Sequence, residues 1–220
     1  MKKKYGDARM QKFLAYEMDR YLTGRAFEQK KELPLARVEN QQYIHYNKGS
    51  VVMYALQDYI GEANVNKALR ALVEESAYKG PPYPNSTIFL KHIRAVTPPH
   101  LQYVIDDMFE NIVLFDNRTT KATYRELPAG RFEVTMKITA KKRKADKLGK
   151  EEDAPLADWI DVGVLDEKGV PIFLEKRKFD KEENEITVIV DRKPAKAGID
   201  PMNKLIDRRP KDNAIAVEKI

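Results

Sequence analysis

The sequence predicts an α+β chain of two domains, an all-α helical lobe followed by an immunoglobulin-like β-sandwich, and three observations carry that prediction. Apolar residues recur at helical spacing through the first half of the chain. Near Asn117 the period drops from 3.6 to 2, the alternation of a half-buried strand. From there on, short strand-like runs are separated by turn signals such as Leu127-Pro128-Ala129-Gly130 and Asp166-Glu167-Lys168-Gly169, the spacing of a sandwich. The boundary gives a helical lobe over residues 1–117 and a sandwich over residues 118–220. A chain of 220 residues has room for both, since domains run to ~100–200 residues, and its 42% hydrophobic content is enough for two cores.

Asp7 is a good N-cap, and Met10, Phe13, Leu14, Glu17, Met18, Tyr21 and Leu22 fall on one helical stripe that Gly24 is expected to end. Residues 24–39 hold no sustained period and contain Pro34, so they read as an extended loop. Asn40 to Gly61 then reads as one long helix, with Tyr43, Ile44, Val51, Val52, Ala55, Leu56, Tyr59 and Ile60 at core spacing. A third helix spans Glu62 to Ala77, with Val65, Ala68, Leu69, Leu72 and Val73 inward. The Gly80-Pro81-Pro82-Tyr83-Pro84 run breaks it. Ser86 is placed as the cap of a fourth helix reaching Val96. A fifth follows Thr97-Pro98-Pro99 and buries Leu101, Val104, Ile105, Met108, Phe109 and Ile112.

Past Asn117, Thr119 to Glu126 and the alternating Phe132, Val134, Met136 and Ile138 form a hairpin. Trp159 to Leu165 and Val170 to Phe179 form a second, and Glu185 to Val190 is a further strand. Residues 199–213 read as irregular before a last strand at Ala214 to Val217.

The composition excludes several classes of function. With no cysteine, neither a disulfide scaffold nor a cysteine nucleophile is available. The net charge of +6 is spread along the chain, 16 basic and 14 acidic residues up to Asn117 against 24 and 20 after it. A nucleic-acid binder would concentrate its cations on one face, so no nucleic acid is expected as a partner. The one dense basic run, Lys141-Lys142-Arg143-Lys144 with Lys147 and Lys150 beyond, reads as a solvated loop between strands. If that run has a partner, it is anionic lipid rather than nucleic acid. Met1-Lys2-Lys3-Lys4 has a basic start but no apolar segment behind it. No run approaches the ~20 residues of a membrane span, so the chain is expected to be soluble, without signal peptide or transmembrane segment.

Candidate reactive residues are few. Asp106 and Asp107 are adjacent on a helix and point about 100° apart, which prevents them from sharing a proton and places them on a solvated face. His92 and His100 read as surface or capping histidines, and His45 borders Tyr46 without an assigned role. The segment that stands out is Tyr46-Asn47-Lys48-Gly49, a polar knot in a core-forming helix. Its plain structural reading is a glycine that admits a close neighbour, a lysine that snorkels to water and a tyrosine satisfied in the core.

Tyr-x-Lys-Gly opening a long helix resembles the tyrosine motif of the M1 family of zinc aminopeptidases (gluzincins). Asp19-Arg20-Tyr21-Leu22, Arg37-Val38-Glu39-Asn40-Gln41 and Val52-Met53-Tyr54-Ala55-Leu56 around it are similar too. The likeness continues less specifically through Ala197-Gly198-Ile199-Asp200-Pro201 and Asn203-Lys204-Leu205-Ile206-Asp207, so it covers nearly the whole chain. It is nearest to the M1-like peptidase regions that some bacteria carry with ABC-transporter permeases.

The resemblance implies that the helical lobe is the C-terminal part of a thermolysin-like catalytic domain and that the sandwich is structural. In such peptidases a tyrosine hydroxyl donates a hydrogen bond to the oxyanion formed when zinc-bound water attacks the peptide carbonyl. That role falls here on Tyr46, a transition-state stabiliser. Lys48 and Gly49 match the motif without acquiring a role.

The family's zinc motif, His-Glu-x-x-His with a later glutamate, has no counterpart among His45, His92 and His100. The resemblance therefore implies a fragment that is inactive alone, with zinc held by ligands upstream of this chain and no metal bound by the chain itself. Its implied partners are the missing N-terminal part of the catalytic domain, a peptide substrate and a membrane permease segment. The parent would be membrane-associated, with the peptidase region extracytoplasmic. The alternative is a non-catalytic scaffold module that binds a peptide or partner.

Overall fold

The structure, a computed structural model, describes Lys4 and residues 6–220, without the side chains of Asp7 and Ala8. The expected Asp7 cap and the basic start over residues 1–3 lie outside the described residues. Helices and sheets are mixed in an α+β chain. It divides into two compact units. One comprises the described residues up to Met18 with Leu114–Lys144 and Glu151–Ile220; the other comprises Asp19–Val113 and Ala145–Lys150.

The helical unit is built from α1 (Asp7–Phe27), which supplies its C-terminal half, α2 (Gly49–Ile60), α3 (Glu62–Ser76), α4 (Ser86–Val96) and the short α5 (Gln102–Ile105). Helix α1 does not stop at Gly24. Its Cα lies so close to Tyr43 that a methyl there would come within 2.5 Å of the Tyr43 Cβ, so this glycine serves close packing and not termination. Helix α2 buries Val51, Val52, Ala55, Leu56 and Ile60 and ends at Gly61, whose φ of 86° only glycine adopts readily.

In α3 only Val65 and Ala68 are buried. Leu69 and Val73, expected inward, are exposed. The cap of α4 is Asn85, not Ser86: its Oδ1 accepts from the Thr87 amide at 3.0 Å, while the Ser86 hydroxyl is engaged with the Ala36 carbonyl. The expected fifth helix is three tighter or wider pieces, a 3-10 turn Pro99–Leu101, α5 and a π-turn Asp106–Glu110. Ile112, placed in that helix by its spacing, begins a strand instead.

The sheet-rich unit holds most of the eleven strands found among the described residues: β1 (Ile112–Phe115), β2 (Arg118–Leu127), β3 (Arg131–Thr139), β4 (Lys142–Ala145), β5 (Glu151–Asp153), β6 (Asp158–Leu165), β7 (Pro171–Phe179), β8 (Glu183–Val190), β9 (Lys196–Ile199), β10 (Ala214–Ala216) and β11 (Glu218–Lys219). One four-stranded sheet has the order β11-β2-β3-β8 and another the order β10-β9-β6-β7; β1, β4 and β5 form a small third. Both expected hairpins are present, β2–β3 around Pro128–Gly130 and β6–β7 around Asp166–Gly169. Val134, Met136 and Ile138 face the core from β3, as do Ile160, Val162 and Val164 from β6.

The basic run is not a solvated loop. Residues 142–145 are β4, and Lys142 is buried with its ammonium 3.1 Å from Asp158. Lys141 pairs with Glu182 and Arg143 with Asp153. Three of its cations are thus already neutralised. Among the described residues no helix is long and apolar enough to cross a membrane.

Residues 199–213 are largely irregular, yet they carry a buried polar core. Asp161 on β6 accepts from Lys204 at 2.6 Å and from Lys176 at 2.9 Å. Asp200 caps its own loop by accepting from the Lys204 and Leu205 amides, both at 2.9 Å, and Asp207 accepts from the Asn117 and Arg209 amides. Burial raises the carboxyl of Asp200 to about 8 and that of Asp207 to about 7, against an ordinary 3.8.

The fold therefore retains protons that the unfolded chain has released. The stability they contribute is complete below about pH 4 and is lost as pH rises through 7 to 8. Unfolding free energies from denaturant titrations at pH 5 and pH 8 are expected to differ by at least about 2 kcal/mol, with the acidic sample more stable. Asp200→Asn is expected to flatten that slope.

Candidate functional site

The segment expected as the first turns of a long helix is wound more loosely. Tyr43–Lys48 is a π-turn that runs straight into α2, with the Gly49 amide reaching back to the Ile44 carbonyl. Such turns insert one residue into the helical ladder and recur at functional sites. Entry to the turn is set by Asn40, at φ 55°, and by Gln41, whose carbonyl accepts from the Ile44 amide at 3.0 Å. Ile44 and Lys48 point inward from the turn, while His45 and Tyr46 point out.

Tyr46 is 64% exposed. Among the described residues its hydroxyl has no hydrogen-bond partner, and the ring leans on that of His45 at 4.6 Å. It is not the core tyrosine of the plain structural reading. Gly49 does not serve close packing either, because a methyl there would meet only ordinary contacts at 3.7 Å and beyond.

Lys48 reverses expectation most. It does not snorkel: it is 1% exposed, and its ammonium lies 5.4 Å over the ring of Tyr21 with no hydrogen-bond acceptor. Around it stands a buried polar group. The Tyr21 hydroxyl donates to Glu32 Oε1 at 2.5 Å, Arg25 Nε donates to Glu32 Oε2 at 2.6 Å, and the Tyr21 ring stacks on Tyr43 at 6.0 Å. Burial lowers the Lys48 ammonium from 10.5 to about 8; the Glu32 carboxylate opposes that fall and Arg25 adds to it. Burial, reinforced by Glu32, likewise holds the Tyr21 and Tyr43 phenols above their ordinary range.

A lowered lysine costs stability wherever it is still charged, so its cost is full below about pH 8 and is relieved as pH rises toward 10.5. The fall corresponds to about 3 kcal/mol, from which a lost cation–π contact and a small void subtract. Lys48→Met is therefore expected to stabilise the fold by about 1–2 kcal/mol at pH 7 and by little at pH 10. Chemical denaturation at the two pH values checks it.

Beside the turn, a cleft of about 450 Å³ is lined by Asp19, Arg20, Glu28, Gln41, Tyr43 and Asn47 among others. Tyr46 is not among its lining residues, though its neighbour Asn47 is. No family model and no curated protein matches the chain.

The other sequence candidates lie apart from the turn. His92 has an acidic partner that sequence spacing did not reveal, Glu75 at 2.7 Å across the α3–α4 hairpin. His100 is exposed in the Pro99–Leu101 turn. Asp106 is held by Arg94 at 2.5 Å, with Glu110 on the same guanidinium. Among the described residues no three His, Cys, Asp or Glu side chains converge on a point that could hold a metal ion. The sequence singled out Lys48 but placed its ammonium in water, and it assigned no role to the neighbours Tyr21, Glu32 and Gln41. The only sequence signal for them was a lysine in an otherwise apolar helical stripe.

Proposed function

We propose that this chain is the C-terminal segment of an M1-like zinc metallopeptidase of aminopeptidase type, supplying the tyrosine that steadies the tetrahedral oxyanion. The observation that carries the reading is the exposed, unengaged hydroxyl of Tyr46 on a π-turn whose other side is anchored by a buried lysine. A hydroxyl donor fixed before charge develops is worth more than one that must be reoriented, and the buried Ile44 and Lys48 fix the turn.

In this reading the chain's own contribution is one hydrogen bond from Tyr46 Oη. Zinc and its ligands, in the same reading, come from polypeptide outside this segment. The helical unit is then the end of a thermolysin-like catalytic domain, and the two four-stranded sheets are an immunoglobulin-like sandwich of structural role. The partners are the N-terminal part of the catalytic domain, a peptide substrate and, in the parent, a membrane permease segment.

The test is hydrolysis by the product of the complete reading frame. Release of the N-terminal residue from short peptides, abolished by a chelator and restored by zinc, is the expected result. A folded, zinc-supplemented full-length product with no such release would overturn the assignment in favour of a non-catalytic scaffold.

A further inference from the structure

Two turns between paired strands share one hydrogen-bond pattern and differ in what they carry at the apex. Between β4 and β5, Asp146 Oδ1 accepts from the Leu148 and Lys150 amides at 2.8 and 2.9 Å, and the Asp146 carbonyl accepts from the Gly149 amide at 3.1 Å. Between β6 and β7, Asp166 Oδ1 accepts from the Lys168 and Val170 amides at 3.0 and 2.9 Å, and its carbonyl accepts from the Gly169 amide at 2.9 Å. Both glycines take a positive φ, 85° and 75°. The turn asks only for the aspartate and the glycine. Between them one turn holds Glu167-Lys168, the polar pair usual at an apex, and the other holds Lys147-Leu148.

Leu148 is 77% exposed, so neither the turn nor a core explains a leucine there. Lys147 and Lys150 flank it, both exposed. The Lys147 carbonyl accepts from the Glu32 amide at 2.9 Å, which ties the turn to the loop that carries the exposed Lys30 and Lys31. On these two segments the four lysines face two carboxylates, Glu28 and Asp146, each turned onto amides of its own loop. The amides of Leu148, Gly149 and Lys150 are bonded within the turn, so the apex enters a less polar medium without carrying those donors unbonded.

An exposed aliphatic side chain set among cations matches a surface of anionic headgroups over an apolar layer. A nucleic acid rewards the cations but not the leucine. We infer that the Asp146–Lys150 turn is a contact site for an anionic lipid surface, with Leu148 entering the headgroup–acyl boundary and Lys147, Lys150, Lys30 and Lys31 meeting lipid phosphates. Lys141, Lys142 and Arg143, each paired within the chain, take no part. One leucine and a few lysines make the attachment weak and reversible. The inference stands on the turn and its neighbouring loop and does not depend on the peptidase reading.

The test is cosedimentation of the whole chain with vesicles of phosphatidylcholine, alone or with about 30% phosphatidylglycerol, in about 0.1 M salt. Partition onto the anionic vesicles is expected to be at least about tenfold stronger. Leu148→Ser is expected to weaken it by about threefold or more, with an unchanged fold, since the β6–β7 turn closes with a lysine at that place. Lys31→Gln with Lys147→Gln is expected to weaken it by about tenfold or more. The same charge change at exposed positions elsewhere, Lys168→Gln with Lys181→Gln, is expected to leave partition within about twofold.

Leu148→Ser without effect, an equal loss in the Lys168 and Lys181 variant, or no partition onto anionic vesicles overturns the inference. Equally tight binding of a DNA duplex, undiminished by Leu148→Ser, also overturns it and assigns the lysines to nucleic acid.

Discussion

Gly198→Ala is expected to prevent the sheet-rich unit from folding. Gly198 lies on β9 with Gly163 of β6 on one side and Ala214 of β10 on the other. A Cβ at this position would fall 1.9 Å from the Asn213 carbonyl oxygen, 2.3 Å from Thr119 Oγ1 and 2.9 Å from the Ala214 Cα. Two of those three atoms belong to the backbone and cannot swing aside.

The neighbours are themselves engaged. Thr119 Oγ1 donates to the Asn213 carbonyl at 2.7 Å, and the Ile199 amide donates to the same carbonyl at 2.9 Å. Making room for one methyl means breaking both bonds and parting β9 from β10, in a region where Thr119 and Asn213 are buried. The loss is expected to exceed about 4 kcal/mol, beyond what most single substitutions cost. Far-ultraviolet circular dichroism and the thermal midpoint of the variant check it. A variant within about 1 kcal/mol of the parent chain would show that β9 and β10 do not meet as described.

The hairpins were legible in the sequence because strand alternation and turn residues are local signals. Pro128–Gly130 and Asp166–Gly169 fall where their composition placed them, each between two paired antiparallel strands. What was not legible depends on partners distant in sequence. Gly24 reads as a helix stop until Tyr43 is brought against it, and His92 reads as unpartnered until the hairpin delivers Glu75. The π-turn is hidden for another reason: one extra residue in a turn shifts the apolar spacing by less than the pattern's own tolerance.

Lys48 and Lys142 were misplaced by charge. A lysine is expected in water, and only tertiary structure shows one ammonium over an aromatic face and the other beside Asp158. At the candidate site the sequence pointed to Tyr46, and the structure shows that its hydroxyl faces outward from a turn fixed from behind. The residues that hold that turn were invisible to spacing because each lies on a different segment: Tyr21 and Arg25 on α1, Glu32 in the loop, Gln41 at the entry.

Tyr46→Phe is the second substitution with a large expected effect, and its effect is on turnover. The change removes one exposed oxygen that bonds to nothing among the described residues, so stability is expected to stay within about 0.5 kcal/mol. A donor that acts only as charge develops contributes to the transition state and little to substrate binding. Its loss therefore lowers kcat by about 10²–10³ while KM moves far less. Lys48→Met, by contrast, alters the anchor of the turn and not the donor.

The decisive measurement is the steady-state comparison of wild type and Tyr46→Phe in the zinc-loaded product of the complete reading frame. A fall in kcat of about two orders of magnitude at nearly constant KM is the result this account predicts. Unaltered kcat in a variant that folds and holds zinc like the wild type would contradict it.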